Sequence, residues 1–528
     1  MLKGYNLVGQ TESAAGDQFL QVFSTVSQSV LPEQFSIATE AEIDEAVAKA
    51  ATAFNVYKMI SPEKRAEFLE SIAEEILALG DELINRAMQE SGLPEARLLG
   101  ERGRTTGQLK LFAELLREGS WVAAVIDTSM PERKPLARAD IRKMLVPIGP
   151  VVVFGASNFP FAFSTAGGDT ASALAAGNPV IVKAHESHLG TNELMASAIK
   201  NAVEKCGMPD GTFSFIIGNG AVTGMQLVKH PGIKAVGFTG SYKAGSAIFK
   251  TAATEREIPI PVYAEMSSIN PVLLLPGKLQ QDSNAMATML AGSITLGVGQ
   301  FCTNPGLLFL IADEATEGFI VKLTELLAAA PAATMLNPGV CNNYYRSRQS
   351  VAEQNGVTVL YSGADASAEY KGAPTLLKVS DAHFISNPDL QQEIFGPASL
   401  LVVCKDKVSM LQALQSMHGQ LTGTVIATAD DIDGFNECII ELANKVGRVV
   451  YNSVPTGVEV CHAMVHGGPF PATSDARSTS VGADAILRFV RPLCLQDCPQ
   501  EFLPDALKNE NPLHIMRKVN GRYTSEEI

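Results

Sequence analysis

Cys302 lies in the glycine-rich segment Gly297–Leu307 and is the first candidate for chemistry in this chain. Most free cysteines are buried and inert, so the residue type alone indicates little. Here the flanking glycines would let a ligand approach the backbone closely, and Asn304-Pro305-Gly306 is typical of a turn that displays neighbouring side chains. A thiolate attacks aldehyde and acyl carbons. The segment therefore fits either a buried small residue or a nucleophile presented on a loop.

Three polar side chains are expected where apolar strands end. Asn158 follows the strand Val151–Phe154, and its amide could donate to a developing oxyanion or simply form a turn. Lys183 ends the next strand and is either a solvated lysine or a donor to a ribose. Glu265 ends a strand that is otherwise apolar, where a carboxylate is costly unless it is paired or functional, so it is a candidate general base.

The segment Phe238-Thr239-Gly240-Ser241, with Gly245 four residues later, joins a strand to a helix. Backbone N–H groups and a hydroxyl at a helix N-terminus suit a pyrophosphate. The segment is not a GxGxxG motif, and alone it is a weak signal.

A metal site was considered for Cys461, His462 and His466. Gly467-Gly468-Pro469 follows at once, and no carboxylate lies nearby in the sequence at the spacing of known zinc ligands. We therefore expect no metal here.

The elements that must position these side chains alternate between strand and helix from residue 150 to 266. The strands are short and apolar throughout, and short turns join each strand to the next helix. This pattern indicates a parallel sheet covered by helices on both faces. Ligands of such sheets bind beyond the carboxyl ends of the strands. A looser repeat of the same pattern follows to about residue 460.

The first 120 residues are predicted to be largely helical. Thr39 and Glu42 form a capping box at the start of one helix. Ser61 and Pro62 begin a second helix, which Gly80 is expected to end. A third is expected near residues 95–119.

Length and composition set limits on the class of protein. A chain of 528 residues needs two or three domains, and 46% hydrophobic residues fit large buried cores. A formal net charge of −15 with no basic cluster argues against nucleic-acid binding. No apolar run is long enough to span a membrane, and no secretory signal is expected. Eight scattered cysteines favour a reducing cytoplasm.

Taken in order, the candidate motifs resemble those of the aldehyde dehydrogenase superfamily over about residues 35 to 500. Each motif is weak alone, but their order is specific. The motifs are Asn158-Phe159-Pro160, Lys183, Phe238-Thr239-Gly240-Ser241 with Gly245, Glu265, Gly299-Gln300-Phe301-Cys302, and Glu393-Ile394-Phe395-Gly396-Pro397.

The resemblance implies an α/β fold with a Rossmann-type cofactor domain, an α/β catalytic domain and a small oligomerisation arm. It implies that Cys302 attacks the aldehyde, that Asn158 and the Cys302 N–H hold the oxyanion, and that Glu265 activates water. The cofactor would be NAD or NADP. Its binding residues would be Lys183, Glu186, Gly240, Ser241, Gly245, Glu393 and Phe395. An acid at Glu186 would repel a 2′-phosphate, which favours NAD.

Within the superfamily, the segment 466–482, together with segments 101–113, 155–177 and 454–460, resembles the α-ketoglutarate semialdehyde (2,5-dioxopentanoate) dehydrogenases. The alternative is a long-chain fatty aldehyde dehydrogenase. A substrate that carries a carboxylate needs a cation in the pocket, so Arg104, Arg477 and Arg102 are candidates, with Phe159 beside the substrate. A fatty aldehyde would need an apolar tunnel instead. Glu265-Met266-Ser267-Ser268-Ile269 departs from the family's usual pattern, so the pocket is expected to differ in detail.

The resemblance also gives the expected division of the chain. The cofactor domain is assigned to 1–129 and 150–265, the catalytic domain to 266–460, the arm to 130–149 and 480–500, and a peripheral tail to 501–528. Family members are mostly dimers or tetramers, so a homodimer or homotetramer is expected. A CoA-acylating enzyme and a non-catalytic binding protein are weaker alternatives, because Glu265, Cys302 and Asn158 occur together.

Overall fold

The structure is a computed structural model that describes residues 2–528, and in that range two seven-stranded sheets and one five-stranded sheet organise the chain. The two larger sheets are mostly parallel, as the alternating apolar segments predicted. The α/β fold class is therefore confirmed.

The first sheet carries the strand ends that the sequence singled out. Five parallel strands are buried along almost their whole length, which requires a layer of helices on each face. Two short antiparallel strands extend one edge. In spatial order the strands are Val262–Glu265, Ala235–Thr239, Val151–Phe154, Val180–Lys183, Phe213–Ile216, Asn6–Val8 and Thr11–Ser13.

Helices pack on both faces of this sheet. One face is covered by Glu40–Tyr57, Met225–Lys229 and Tyr242–Thr254, whose apolar side chains share a core with the strands. The other face is covered by Pro62–Ala78, Gly80–Ser91, Glu95–Glu118, Gly168–Ala176 and Leu189–Lys205. The capping box of Thr39 and Glu42 and the cap at Ser61 are present as predicted.

The predictions for the first 120 residues are only partly met. The second helix ends at Ala78, just before the left-handed Gly80 (φ +56°), as predicted, but the chain then turns directly into a further helix, Gly80–Ser91, which the sequence did not reveal. Residues 6–36 hold short strands of two or three residues, too short to give a periodic signal. The buried Asn6 secures this edge by accepting from the Ile217 N–H at 2.8 Å and donating to the Ser36 carbonyl at 3.2 Å.

The second sheet forms the core of the other half of the chain. In spatial order its strands are Thr358–Ser362, Thr375–Ser380, Ala398–Cys404, Leu307–Ile311, Pro271–Leu274, Gln420–Ile426 and Val446–Tyr451, all parallel except the first. Its helices are Pro276–Thr295, Glu314–Ala329, Pro338–Ala352, Asp381–Ser386, Lys407–Gln415, Ala429–Gly434 and Asn436–Lys445.

The third sheet lies in the region expected to form an arm. Its strands, in spatial order, are Val490–Gln496, Ile141–Pro147, Val125–Asp127, Arg517–Val519 and Arg522–Thr524. The tail after residue 500 was expected to be peripheral, but part of it is built into this third sheet. The tail supplies two strands, and its Leu507 and Ile515 are buried in a small core with Ile126. Its polar composition hid this role because few apolar residues suffice for so small a core.

Six further strands of two residues pair in the described chain: Phe19–Leu20 with Phe35–Ser36, Phe23–Ser24 with Ser29–Val30, and Ala333–Thr334 with Lys371–Gly372. Among residues 2–528, no helix combines the length and the apolar character needed to cross a membrane.

Candidate active site

A cavity of about 1070 Å³ lies at the carboxyl ends of the first sheet and reaches across to the second half of the chain. Most of the predicted catalytic and cofactor residues line it: Asn158, Lys183, Glu186, Gly240, Ser241, Glu265, Cys302, Glu393 and Phe395. Gly245 lies just behind this wall, where a Cβ would come within 2.6 Å of the Met266 side chain. Parallel strands end at a common edge, so the fold gathers residues that are far apart in the sequence.

The loop that presents Cys302 is fixed at two points. The side chain of the buried Asn270 donates to the Cys302 carbonyl at 2.8 Å and to the Asn304 carbonyl at 2.9 Å. Gly299 has a left-handed backbone (φ +64°), and a Cβ there would lie 2.2 Å from the Gly396 carbonyl oxygen. Only glycine fits, so the nucleophile loop is locked against the segment that carries Glu393 and Phe395.

Asn158 is tied to the same loop. Its side-chain amide donates to the Gln300 carbonyl at 3.1 Å, and its own carbonyl accepts from Arg97 at 2.6 Å. Asn158 is buried, and it lines the cavity together with Cys302. An amide held this way is pre-positioned to donate to an oxygen that forms beside the thiol.

His466 lies between the candidate nucleophile and the candidate base. Its Nε2 is 3.3 Å from the Cys302 Sγ and 2.9 Å from the Glu265 Oε1. The side chains of His466 and Glu265 are almost fully buried, with exposed fractions of 0% and 3%. A thiol, an imidazole and a carboxylate in continuous contact can transfer a proton between them.

This environment holds Cys302 as a thiol at rest. Burial and then the negative charge of Glu265 raise the pKa of Cys302 well above its ordinary value, and nearby Arg104 opposes this only in part. Burial also raises the pKa of Glu265. The charge of His466 and close polar contacts with His466, Ser480 and Cys302 outweigh burial and lower the pKa of Glu265 overall. The carboxylate is therefore ionised near neutral pH, and the thiol needs a base to become a nucleophile.

Irregular chain positions His466. The backbone N–H of His466 donates to the Thr479 hydroxyl at 2.8 Å, and its backbone carbonyl accepts from the Ser480 N–H at 2.8 Å. The Ser480 hydroxyl also donates to Glu265 Oε2 at 2.5 Å. Hydrogen bonds within the segment 466–480 thus orient the His466 imidazole, and the bond from Ser480 orients the Glu265 carboxylate.

The sequence suggested His466 only as a metal ligand, with no carboxylate at ligand spacing. The structure corrects that reasoning, because Glu265 reaches His466 from a distant strand. Sequence spacing could not reveal this contact, since the ligands of zinc sites recognisable by motif lie close together in the chain. The one available signal was a histidine in the segment that departs from the family pattern.

The expected cofactor residues form a polar wall. Glu186 Oε1 accepts from the Lys183 ammonium at 3.2 Å and from the Gly220 N–H at 2.8 Å. Ser241 caps the helix Tyr242–Thr254, and its hydroxyl accepts from the Ala244 N–H. The positive end of that helix and the Lys183 ammonium suit an anionic dinucleotide, so the residues present fit the cofactor that the family implies.

Glu393 lies at the other end of the cavity. Burial raises its pKa to about 7, while hydrogen bonds from the Ser267 side chain and the Ser268 backbone oppose the shift. It therefore changes charge near neutral pH, at a position expected to contact a ribose.

The far side of Cys302 is aromatic and cationic. The Arg104 guanidinium stacks over the rings of Phe159 and Phe163 at 5.7 and 5.2 Å, and the Phe163 ring also contacts His466. Arg104 Nε is buried and has no hydrogen-bond partner among residues 2–528. Arg104 has none of the carboxylate contacts that define a salt bridge in this part of the chain, so it is a largely buried cation without a direct counter-ion.

A second cation, Arg448, was missed by the sequence analysis. It lies on the strand Val446–Tyr451 and donates to the carbonyls of Gly457 and Pro455 at 3.0 and 2.6 Å. Burial lowers its pKa, and the charge of Cys302 raises it, so the guanidinium is near the thiol. A lone arginine in a strand gives no sequence signal of this kind.

Two other arginines do not reach the site. Arg477 was a candidate, but 89% of its side chain is exposed and it pairs with Asp475 at 3.0 Å. Arg102 donates instead to the Gly80 carbonyl at 2.9 Å. On a helix, residues two apart point in different directions, so Arg104 and Arg102 could not both face the pocket.

With this geometry in place, comparison with known proteins gives the class. Residues 11–470 match the aldehyde dehydrogenase family, and the chain belongs to that family. It is 49% identical over 522 residues to "Alpha-ketoglutaric semialdehyde dehydrogenase 2" of Azospirillum brasilense, covering 99% of each chain.

Solved structures agree on the fold. An NADP-dependent glyceraldehyde-3-phosphate dehydrogenase from Bacillus halodurans in complex with NADP superposes with a TM-score of 0.78 at 20% identity, covering 94% of this chain and 100% of that one. A Thermus 1-pyrroline-5-carboxylate dehydrogenase with bound NAD gives a TM-score of 0.76 at 20% identity, covering 93% of this chain and 92% of that one.

The protein is thus an NAD(P)-dependent oxidoreductase that converts an aldehyde to a carboxylic acid.

Proposed function

We propose that this enzyme oxidises α-ketoglutarate semialdehyde to 2-oxoglutarate. The observation that carries the proposal is Arg104, a largely buried cation without a direct counter-ion beside the nucleophile loop. Such a cation is costly unless an anion arrives to meet it. The curated relative of that name, identical at about half of its positions, supports the same substrate. A fatty aldehyde offers no charge to Arg104.

The first half of the proposed mechanism forms a covalent adduct. The imidazole of His466, in its neutral form, takes the proton of Cys302, whose sulfur then bonds to the aldehyde carbon. Asn158 and the Cys302 N–H donate to the oxygen that gains the negative charge. Donors of this type contribute about 10²–10³-fold to the rate. The bound nicotinamide cofactor supplies the acceptor for the hydride that leaves the adduct carbon, and Cys302 is left as a thioester.

The second half releases the acid. Glu265 is ionised and almost fully buried, so it accepts a proton from the attacking water. Water oxygen bonds to the thioester carbon, the carbon–sulfur bond breaks, and the Cys302 thiolate takes back the proton that His466 held. Ser480 holds Glu265 during this step through its 2.5 Å hydrogen bond.

For the cofactor we propose that Lys183 and Glu186 contact the adenosine ribose, that Gly240, Ser241 and Gly245 shape the pyrophosphate site, and that Glu393 and Phe395 contact the nicotinamide half. NAD is favoured over NADP. The N–H of Gly220 and the ammonium of Lys183 together hold the Glu186 carboxylate, which stands where a 2′-phosphate would be repelled.

The function is tested with three aldehydes of similar length. We expect kcat/KM for α-ketoglutarate semialdehyde to exceed that for glutarate semialdehyde, and both to exceed that for hexanal, with NADH formation as the readout. A preference for hexanal or longer alkanals would refute the substrate assignment and leave aldehyde oxidation standing.

The role of Arg104 is tested with Arg104→Met and a matched control, Arg477→Ala. Removing one partner of a desolvated charge pair costs about 2–5 kcal/mol, so we expect Arg104→Met to lower kcat/KM for the charged aldehydes by about 10²-fold or more and to spare hexanal. Arg477 is exposed, so its replacement should change neither value. Equal losses of kcat/KM for charged and uncharged aldehydes would mean that Arg104 supports the packing of the site and does not recognise the substrate's charge.

Assembly and location extend the proposal. The strand Val490–Gln496 is the edge of the third sheet and offers free backbone groups to a second copy, which fits a homodimer or homotetramer. Light scattering of the purified protein tests this assembly. All eight cysteines are free, which fits a reducing cytoplasm.

A further inference from the structure

Three potential metal ligands converge beside the cavity. Glu265, Cys302 and His466 each offer one ligand atom, and these atoms all lie within 4.8 Å of one another. Sulfur, imidazole nitrogen and carboxylate oxygen are the donor types that bind Zn²⁺. The oxidation mechanism uses these groups for proton transfer and requires no metal.

The spacing is close to that of a tetrahedral site. Bonds of about 2.3 Å to sulfur and about 2.0–2.2 Å to nitrogen and oxygen would separate neighbouring ligand atoms by about 3.4–3.6 Å. The observed separations are 3.3 Å for sulfur to nitrogen and 2.9 Å for nitrogen to oxygen. An opening of a few tenths of an ångström would admit the ion.

A second observation points to a ligand. Glu265 Oε1 is buried and accepts no well-aligned hydrogen bond among residues 2–528, although His466 Nε2 is beside it. A buried carboxylate oxygen with unused lone pairs is unusual, and a cation satisfies it. Glu265 and Cys302 both line the cavity, so an ion can enter from solvent and keep water as a fourth ligand.

We propose that Glu265, Cys302 and His466 form an inhibitory binding site for a divalent zinc ion. On binding, the thiol loses its proton to solvent and the thiolate bonds to the metal, with no change of oxidation state. The sulfur is then blocked from attack on an aldehyde, and both bases are occupied. Zinc therefore switches the enzyme off reversibly and shields Cys302 from alkylation.

The test measures zinc binding without substrate, so its result is independent of which aldehyde the enzyme oxidises. Titration of the metal-free full-length protein against a chromogenic zinc indicator is expected to show one equivalent bound per chain. Activity should fall in proportion and return on addition of a chelator. With Co²⁺ in place of Zn²⁺, a thiolate-to-cobalt charge-transfer band should appear.

Variants separate this site from the neighbouring pair that the sequence suggested. His466→Ala is expected to weaken zinc binding about 100-fold or more, since even loss of an outer-shell partner costs 10–100-fold. Cys302→Ser should abolish the cobalt–thiolate band. The control Cys461→Ser/His462→Ala should keep the full equivalent and the band.

His466→Gln and Glu265→Gln keep similar volumes, so they serve if His466→Ala fails to fold. The proposal is overturned if these variants bind zinc as tightly as the wild type, or if the Cys461→Ser/His462→Ala protein loses the site.

Discussion

One imidazole nitrogen, Nε2 of His466, lies within 3.3 Å of the Cys302 sulfur and within 2.9 Å of a Glu265 oxygen. The proposed nucleophile and the proposed base are therefore connected through a histidine. Because burial and the charge of Glu265 raise the pKa of the thiol, this connection bears directly on how the thiolate forms.

Replacing His466 tests its role as the base for Cys302. In His466→Gln we expect alkylation by iodoacetamide at pH 7 to slow by about 10-fold or more, because the thiol loses its imidazole base and keeps only the Glu265 carboxylate, whose charge raises the pKa of the thiol. We expect kcat/KM to fall by about 10²–10⁴-fold, the usual contribution of a positioned base. His462→Gln, four residues earlier and exposed, is the control and should match the wild type. Unchanged alkylation in His466→Gln would assign activation of the thiol to another group.

Replacing Glu265 should separate the two halves of the reaction. In Glu265→Gln the adduct still forms, so a rapid burst of about one NADH per active site is expected. Steady-state turnover should then fall by about 10²-fold or more, because no base activates the water. Stopped-flow absorbance measures both phases. Loss of the burst itself would show that Glu265 acts before hydride transfer.

The pKa of Glu393, raised by burial to about 7, predicts a pH dependence of cofactor binding. Above pH 7 the ionised carboxylate is the stronger acceptor for ribose hydroxyls, and below pH 7 the protonated form weakens that contact. We expect KM for NAD to rise as the pH falls from 8 to 6. Glu393→Gln should have a high KM that is flat over this range. A wild-type KM for NAD that stays constant between pH 6 and 8 would contradict the proposed contact of Glu393 with the cofactor ribose.

Cofactor choice should depend on Glu186. Glu186→Ser removes the charge that would repel a 2′-phosphate and frees the Lys183 ammonium and the Gly220 N–H to meet it. We expect the ratio of kcat/KM for NADP to that for NAD to rise by about 10-fold or more. Glu186→Gln keeps the size of the side chain and loses its charge. If the NADP-to-NAD ratio rises in Glu186→Ser but not in Glu186→Gln, the cause is the room made for the phosphate rather than the lost charge. No rise in either variant would remove Glu186 from cofactor selection.

A buried ion pair should stabilise the fold without taking part in chemistry. Arg488 donates to Asp169 at 2.7 Å, and both side chains are buried, with exposed fractions of 3% and 8%. Breaking such a pair leaves an uncompensated charge and costs about 3–5 kcal/mol, so Asp169→Asn should lower the urea midpoint clearly. Asp475→Asn breaks the exposed pair with Arg477 and should cost at most about 1 kcal/mol. Equal shifts would mean that burial of the pair contributes little.

The sequence by itself determined the local elements and the class of chemistry. Uniformly apolar strands such as Val151–Phe154 are expected in the interior of a parallel sheet that helices cover on both faces. The residues that follow such strands must meet at one edge, so Asn158, Lys183 and Glu265 could be placed without coordinates. The capping box at Thr39 is likewise a local interaction that needs only neighbouring residues.

The tertiary structure alone decided which distant side chains touch. His466 is separated from Cys302 by 164 positions and lies in irregular chain, so neither periodicity nor spacing linked it to the thiol. Arg104, Arg448 and Arg477 have the same side chain, and only burial and the position of nearby carboxylates distinguish the two partly buried arginines near the thiol from the exposed Arg477. Such contacts depend on how packed elements close against one another, and a one-dimensional pattern does not contain that information.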